Sequence, residues 1–75
     1  MANKSKYKCE GIIYLKRDKE DFTTFVYVET NFYEATIQDA TKWLEDMLSK
    51  YAASYAIDSS YSKVGFEVTS VQQKD

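Results

Sequence analysis

The chain has 75 residues, of which 44% are hydrophobic and 16% aromatic, and its formal net charge is −2. This composition predicts one small folded domain spanning residues 1–75, with no linker, internal repeat or second domain. The sequence has no His and one Cys, Cys9. It therefore excludes an internal disulfide, a structural zinc site and catalysis by a histidine base.

The first predicted elements are two strands. Residues 1–5 are expected to be a frayed tail, and the alternation of residues 7–16 predicts a strand. The charged stretch 17–21 predicts a loop of about four or five residues. Residues 22–30 are β-branched or aromatic almost throughout, which predicts a second strand. The side chains expected to share one covered face are Tyr7, Cys9, Gly11, Ile13 and Leu15 with Phe22, Thr24, Val26 and Val28.

Residues 31–55 carry the sustained helical periodicity of the chain. Asn31 with Glu34 three residues later indicates a capping box, whereas Thr36 followed by Asp39 is a competing start one turn further on. We expect an amphipathic helix whose apolar stripe packs on the strands. The stripe consists of Tyr33, Ile37, Ala40, Leu44, Leu48, Tyr51 and Tyr55, with Met47 at its edge.

The chain closes with a polar connection at 56–60, a third strand at 61–71 and a solvated tail at 72–75. Val64, Phe66 and Val68 are expected to face the helix. The order β-β-α-β predicts an α+β domain: a three-stranded antiparallel sheet in the order 2-1-3, with one helix packed on one face.

Nothing in the sequence indicates an enzyme or a cofactor site. The glycines, Gly11 and Gly65, are isolated within predicted strands, so they form no phosphate-binding loop and instead indicate a bulge or a close backbone approach. Cys9 is expected to be a small core residue rather than a nucleophile. The first residues lack the apolar run of a signal peptide, and no apolar stretch is long enough to span a membrane. The sequence therefore predicts a soluble, cytoplasmic protein.

The sheet face that the helix leaves uncovered is the main candidate for function. Ile12, Tyr14, Phe25 and Tyr27 are expected to form a cluster across the first two strands. Three interpretations compete: a protein interface, including a homodimer packed sheet face to sheet face; a stacking platform for single-stranded nucleic acid; and aromatic rings that only strengthen the sheet. The charged residues expected around the cluster are Lys8, Lys16 and Lys63 with Glu10, Glu29 and Glu67.

Phe32 and Trp43 form a second, smaller candidate patch. Both are expected on the flank of the helix, about 80–100° from the centre of its apolar stripe. They could cover an edge strand and enlarge the core, or Trp43 could anchor a protein partner.

The segment VETNFYEATIQDATKWLEDML and the closing GFEVTSV resemble the small, uncharacterised β-β-α-β proteins of bacteriophages. The resemblance implies an accessory protein that binds a host protein, and it implies no site residue. An acidic phage protein can also imitate DNA, for which Glu34, Asp39, Glu45 and Asp46 are candidates among interspersed lysines. We therefore predict a small non-enzymatic module that binds another protein or a second copy of itself.

Overall fold

The computed structural model describes residues 3–57 and 60–74. Within them the chain forms three long strands and one helix in the predicted β-β-α-β order. Predictions for residues 1–2, 58–59 and 75 lie outside the described part. The elements are β1 (Ser5–Arg17), β2 (Thr24–Glu34), α1 (Ile37–Ala56) and β3 (Tyr61–Gln73).

The sheet has the predicted order, with β1 in the centre between β2 and β3. Both pairings are antiparallel, so the fold is an α+β arrangement with an open three-stranded sheet. The pairing of β1 with β2 runs without interruption from Ser5 to Leu15, whereas that with β3 shifts register after Glu10 and after Lys16. Such shifts mark bulges in one strand of a pair.

The helix begins later than its first predicted cap. Asn31 and Glu34 belong to β2, so the capping box that they suggested is wrong. The competing start at Thr36 is confirmed, because Thr36 has an extended backbone and its Oγ1 accepts a hydrogen bond from the Asp39 amide at 3.1 Å. Asp39 also places a negative charge in the first turn, where its interaction with the helix dipole stabilises the helix.

The core lies between β1 and α1. Among the described residues it contains eight buried hydrophobic ones, and the four from the sheet all belong to β1. On the helix, the predicted stripe is confirmed for the buried Ala40, Leu44 and Leu48 and for Met47 and Tyr55, which pack against the core. Ala52 is also buried, whereas Ile37 and Tyr51 are exposed. The sheet contributes Tyr7, Cys9, Ile13 and Leu15, as their alternation predicts.

Several boundaries differ from those predicted. β1 begins within the predicted N-terminal tail, and β2 extends into the predicted helix. Tyr33 is therefore a strand residue rather than part of the helical stripe. Gln72 and Gln73 belong to β3, and the Lys74 amide donates to the Lys6 carbonyl oxygen at 2.8 Å, so this end is paired rather than frayed. Phe22 was expected to face the helix, but it precedes β2 and is 63% exposed.

Candidate protein-interaction surface

The uncovered face of the sheet, which we call the open face, carries the predicted cluster. Ile12 lies opposite Tyr27 and Tyr14 lies opposite Phe25, so the four residues share one face of the first two strands, as expected. Phe25 and Tyr27 are 62% and 57% exposed although β-strands hold both in place. The central pair, Ile12 and Tyr14, is half-buried. These four side chains form a contiguous apolar cluster in the middle of the open face.

Tyr14 owes part of its position to Gly65. The two residues lie opposite each other across β1 and β3, and the Tyr14 ring occupies the space that a side chain at Gly65 would fill. A Cβ at Gly65 would lie 2.5 Å from Tyr14 Cζ, well inside van der Waals contact. The glycine therefore allows the ring to lie flat along the sheet and to widen the cluster towards β3.

An acidic group of residues borders the cluster on one side. Glu10 and Glu29 lie opposite each other, and Lys8 Nζ lies 3.3 Å from Glu10 Oε1 and 3.5 Å from Glu29 Oε1. The hydrogen bond from Lys8 to Glu10 and the charge of Glu29 raise the pKa of Lys8. One lysine is thus shared by two carboxylates, and Glu67 adds a third carboxylate opposite Ile12.

Tyr27 links the aromatic cluster to this acidic group. Its hydroxyl donates to Glu29 Oε2 at 3.4 Å. Partial desolvation, followed by the neighbouring carboxylates of Glu10 and Glu29, raises the pKa of Tyr27. The hydroxyl of Tyr27 therefore acts as a hydrogen-bond donor on this face.

A basic pair borders the cluster on the other side. Lys16 and Lys63 lie directly opposite each other on β1 and β3. Within residues 3–57 and 60–74, neither forms an ion pair. This end of the open face is therefore a local concentration of uncompensated positive charge. Like charges at directly opposed positions of a sheet also disfavour the strand pairing.

The second predicted patch is not formed as expected. Phe32 belongs to β2 rather than to the helix flank, and it packs against the core. Trp43 is on α1, is 52% exposed, and lines a surface depression of about 390 Å³ with Asp39, Lys42 and Asp46. Of the two, Trp43 alone presents a large exposed ring, and its neighbours are charged side chains of the same helix.

Tyr33 is the open-face residue that the sequence analysis missed. It lies opposite Lys6 at the far end of β2 and is 60% exposed. The signal was present as the alternation of Phe25, Tyr27, Glu29, Asn31 and Tyr33, which continues across the predicted end of the strand.

The remaining chemistry of the described residues is limited. Cys9 is fully buried, its Sγ donates to the Tyr7 carbonyl oxygen at 3.7 Å, and desolvation raises the pKa of the thiol. In this part of the chain no group of three or more His, Cys, Asp or Glu residues could hold a metal ion, and α1 is too polar to cross a membrane. No family model, curated protein or solved structure matches the chain.

Proposed function

We propose that the chain is a non-catalytic protein-binding module that acts in the cytoplasm and engages its partner through the open face. The observation that supports this is the apolar cluster of Ile12, Tyr14, Phe25 and Tyr27, which α1 leaves exposed. Tyr and Phe are enriched in protein interfaces, and ordered rings on a rigid sheet bind with a small loss of side-chain entropy. The resemblance to bacteriophage accessory proteins points to the same class of function.

The charges around the cluster favour protein over single-stranded nucleic acid. A stacking platform needs free cations along its rim to hold the phosphates. Lys16 and Lys63 supply such cations at one end of the cluster only. At the other end Lys8 is already paired with Glu10 and Glu29, and Glu67 lies beside the rings. A polyphosphate that extends along the cluster from the two lysines would meet these three carboxylates at the other end.

Matched variants test the proposal. Phe25→Thr/Tyr27→Thr removes two exposed rings from β2 and retains β-branched residues that suit a strand. Trp43→Ala/Tyr51→Ala removes two exposed rings from α1 and serves as the control. We expect the tagged parent and the control to retain the same protein partner from host-cell extract, and the β2 variant to lose it, with circular dichroism showing that all three are folded.

Two results would contradict the proposal. One is a partner that is retained by the β2 variant and lost by the α1 variant, which would move the site to the exposed rings of α1. The other is tight binding of the parent to labelled single-stranded oligonucleotides at low salt, where electrostatic binding is strongest, with loss of that binding in the β2 variant. We expect no measurable binding of this kind.

A further inference from the structure

The charges on the open face are segregated along the direction of the strands. Lys16 and Lys63 lie on one side of the aromatic cluster. Glu10 and Glu29 lie on the other side, and Glu67 lies next to them at the level of Ile12. Lys8 is the cation that pairs with this acidic group. The open face therefore has a basic end, an apolar middle and an acidic end.

This order of charges is complementary to itself after a half-turn. A two-fold axis that crosses the strands between the levels of Ile12 and Tyr14 brings Lys16 of one copy opposite Glu10 of another. The same operation places Ile12 and Tyr27 of one copy on Tyr14 and Phe25 of the other. Opposite charges and apolar rings then meet at the same time, as an isologous interface requires.

We propose that the partner of the open face is a second copy of this chain, packed sheet face to sheet face with antiparallel strands. This inference rests on the proposed function, because it names the protein that the open face binds. The basic end of each copy lies on the acidic end of the other. Lys16 then lies opposite Glu10, and Lys63 lies opposite Ser70, at the level next to Glu67.

The shape of the chain agrees with this arrangement. Its Cα radius of gyration is 14.6 Å, whereas a compact domain of this length has about 11 Å. Its accessible surface is 5314 Å², whereas a compact protein of this mass exposes about 4,700 Å². The sheet has one uncovered side, and the shortest dimension of the molecule is 13 Å. The central strand has 13 residues, so a sheet of three such strands measures about 14 Å by 43 Å. This area is of the order that stable dimers bury on each partner.

The charges also decide between possible dimers. A two-fold axis parallel to the strands would place the lysine pair of one copy on that of the other, and the carboxylates on one another. Pairing along the free edge of β2 would extend the sheet but leave the aromatic cluster exposed. The antiparallel face-to-face dimer covers the cluster and compensates both charged ends.

Charge-reversed variants test the orientation. Lys16→Glu/Lys63→Glu makes both ends of the open face acidic, and Glu10→Lys/Glu67→Lys makes both basic. We expect the parent to dimerise in analytical ultracentrifugation and each variant alone to show a dissociation constant raised about ten-fold or more. Mixing the two variants should restore a dimer that contains one copy of each. The parent dimer should weaken as salt screens its attraction.

Lys42→Glu/Lys50→Glu is the matched control for Lys16→Glu/Lys63→Glu, since it makes the same change in net charge on the exposed side of α1. It should dimerise like the parent. A parent that is monomeric at high concentration would overturn the dimer. A reversed variant that dimerises like the parent, or a mixture that stays monomeric, would overturn the proposed face-to-face arrangement. A dimer that tightens with salt would overturn the antiparallel orientation. A monomeric parent whose partner is still lost on Phe25→Thr/Tyr27→Thr would reject the second copy and leave the proposed function standing.

Discussion

Gly11 and Gly65 are both strand glycines, but they serve opposite faces of the sheet. A Cβ at Gly11 would lie 2.5 Å from Leu48 Cδ1 and 3.0 Å from the carbonyl oxygen of Glu67, on the side that α1 covers. At Gly65 the conflicting atoms belong to the Tyr14 ring on the open face. Gly11 thus allows the helix to approach closely, and Gly65 allows an aromatic ring to lie on the sheet.

The same substitution at these two positions should have different costs. Gly11→Ala meets a fully buried Leu48 and a backbone carbonyl, so we expect it to lower the free energy of unfolding by about 2 kcal/mol. In Gly65→Ala the half-buried Tyr14 ring can turn outwards, and alanine suits a strand better than glycine, so the change should stay within about 0.5 kcal/mol. Urea unfolding measures both values. Equal losses would contradict the assignment of the two glycines to different faces.

The buried thiol of Cys9 should make stability depend on alkaline pH. Desolvation raises its pKa in the folded state, so the folded chain keeps a proton that the unfolded chain loses first. The contribution to stability is complete below the pKa of the unfolded thiol and is lost as pH rises from there through the folded pKa. Cys9→Ala lacks this contribution, so the stability difference between parent and variant should shift in favour of the variant above pH 9.0. Lys8 and Tyr27 titrate in both proteins and cancel from that difference. A difference that is independent of pH would contradict this prediction.

At the level of elements, alternation and helical periodicity were enough to predict three strands, one helix and their order. They failed where β2 meets α1. Asn31–Glu34 has the local pattern of a helix start, but these residues pair with Ser5–Lys8 of β1. Because the first strand was predicted to begin at residue 7, the strand partners of Tyr33 and Glu34 were missing. Both errors have one cause, which is that a distant segment outweighs a local capping signal.

The candidate surface was predictable from the same patterns as the elements, and to a similar extent. Alternation and the strand order place Ile12, Tyr14, Phe25 and Tyr27 on one uncovered face. That Gly65 lies opposite Tyr14 and Lys63 opposite Lys16 depends on the register of β3, which changes at two irregularities. A one-residue shift exchanges the two faces of a strand, so these pairs could be read only from the structure.

The position of the helix cap can be tested with a pair of single substitutions. Thr36→Ala removes the Oγ1 that accepts a hydrogen bond from the Asp39 amide. We expect a loss of about 1 kcal/mol in the free energy of unfolding. Asn31→Ala changes an exposed strand residue and should cost less than about 0.5 kcal/mol. Thermal unfolding followed by circular dichroism measures both. A larger loss for Asn31→Ala would return the helix start to the position that the sequence first suggested.

For the whole molecule, stability depends on one packing layer, the contact between the sheet and the helix. The fully buried residues of the described chain come from β1 and α1, while β2 and β3 contribute partly buried side chains at the margins of the core. A sheet with one covered face has no second layer to replace what it loses. We therefore expect the strands and the helix to unfold together.

Leu48→Ala tests this cooperativity. Leu48 is fully buried, and its loss should cost about 3 kcal/mol, against roughly 4–11 kcal/mol for the stability of a chain of this length. Circular dichroism of the helix and amide exchange of the strands should then report the same reduced stability, whereas Ile57→Ala, at an 86% exposed position, should leave both unchanged. Because Leu48 Cδ1 is the atom closest to a Cβ at Gly11, the double variant Gly11→Ala/Leu48→Ala should lose about 1 kcal/mol less than the sum of its single variants. Strict additivity would show that the helix does not close on the sheet at Gly11, and separate transitions for helix and strands would show that the core is not a single unit.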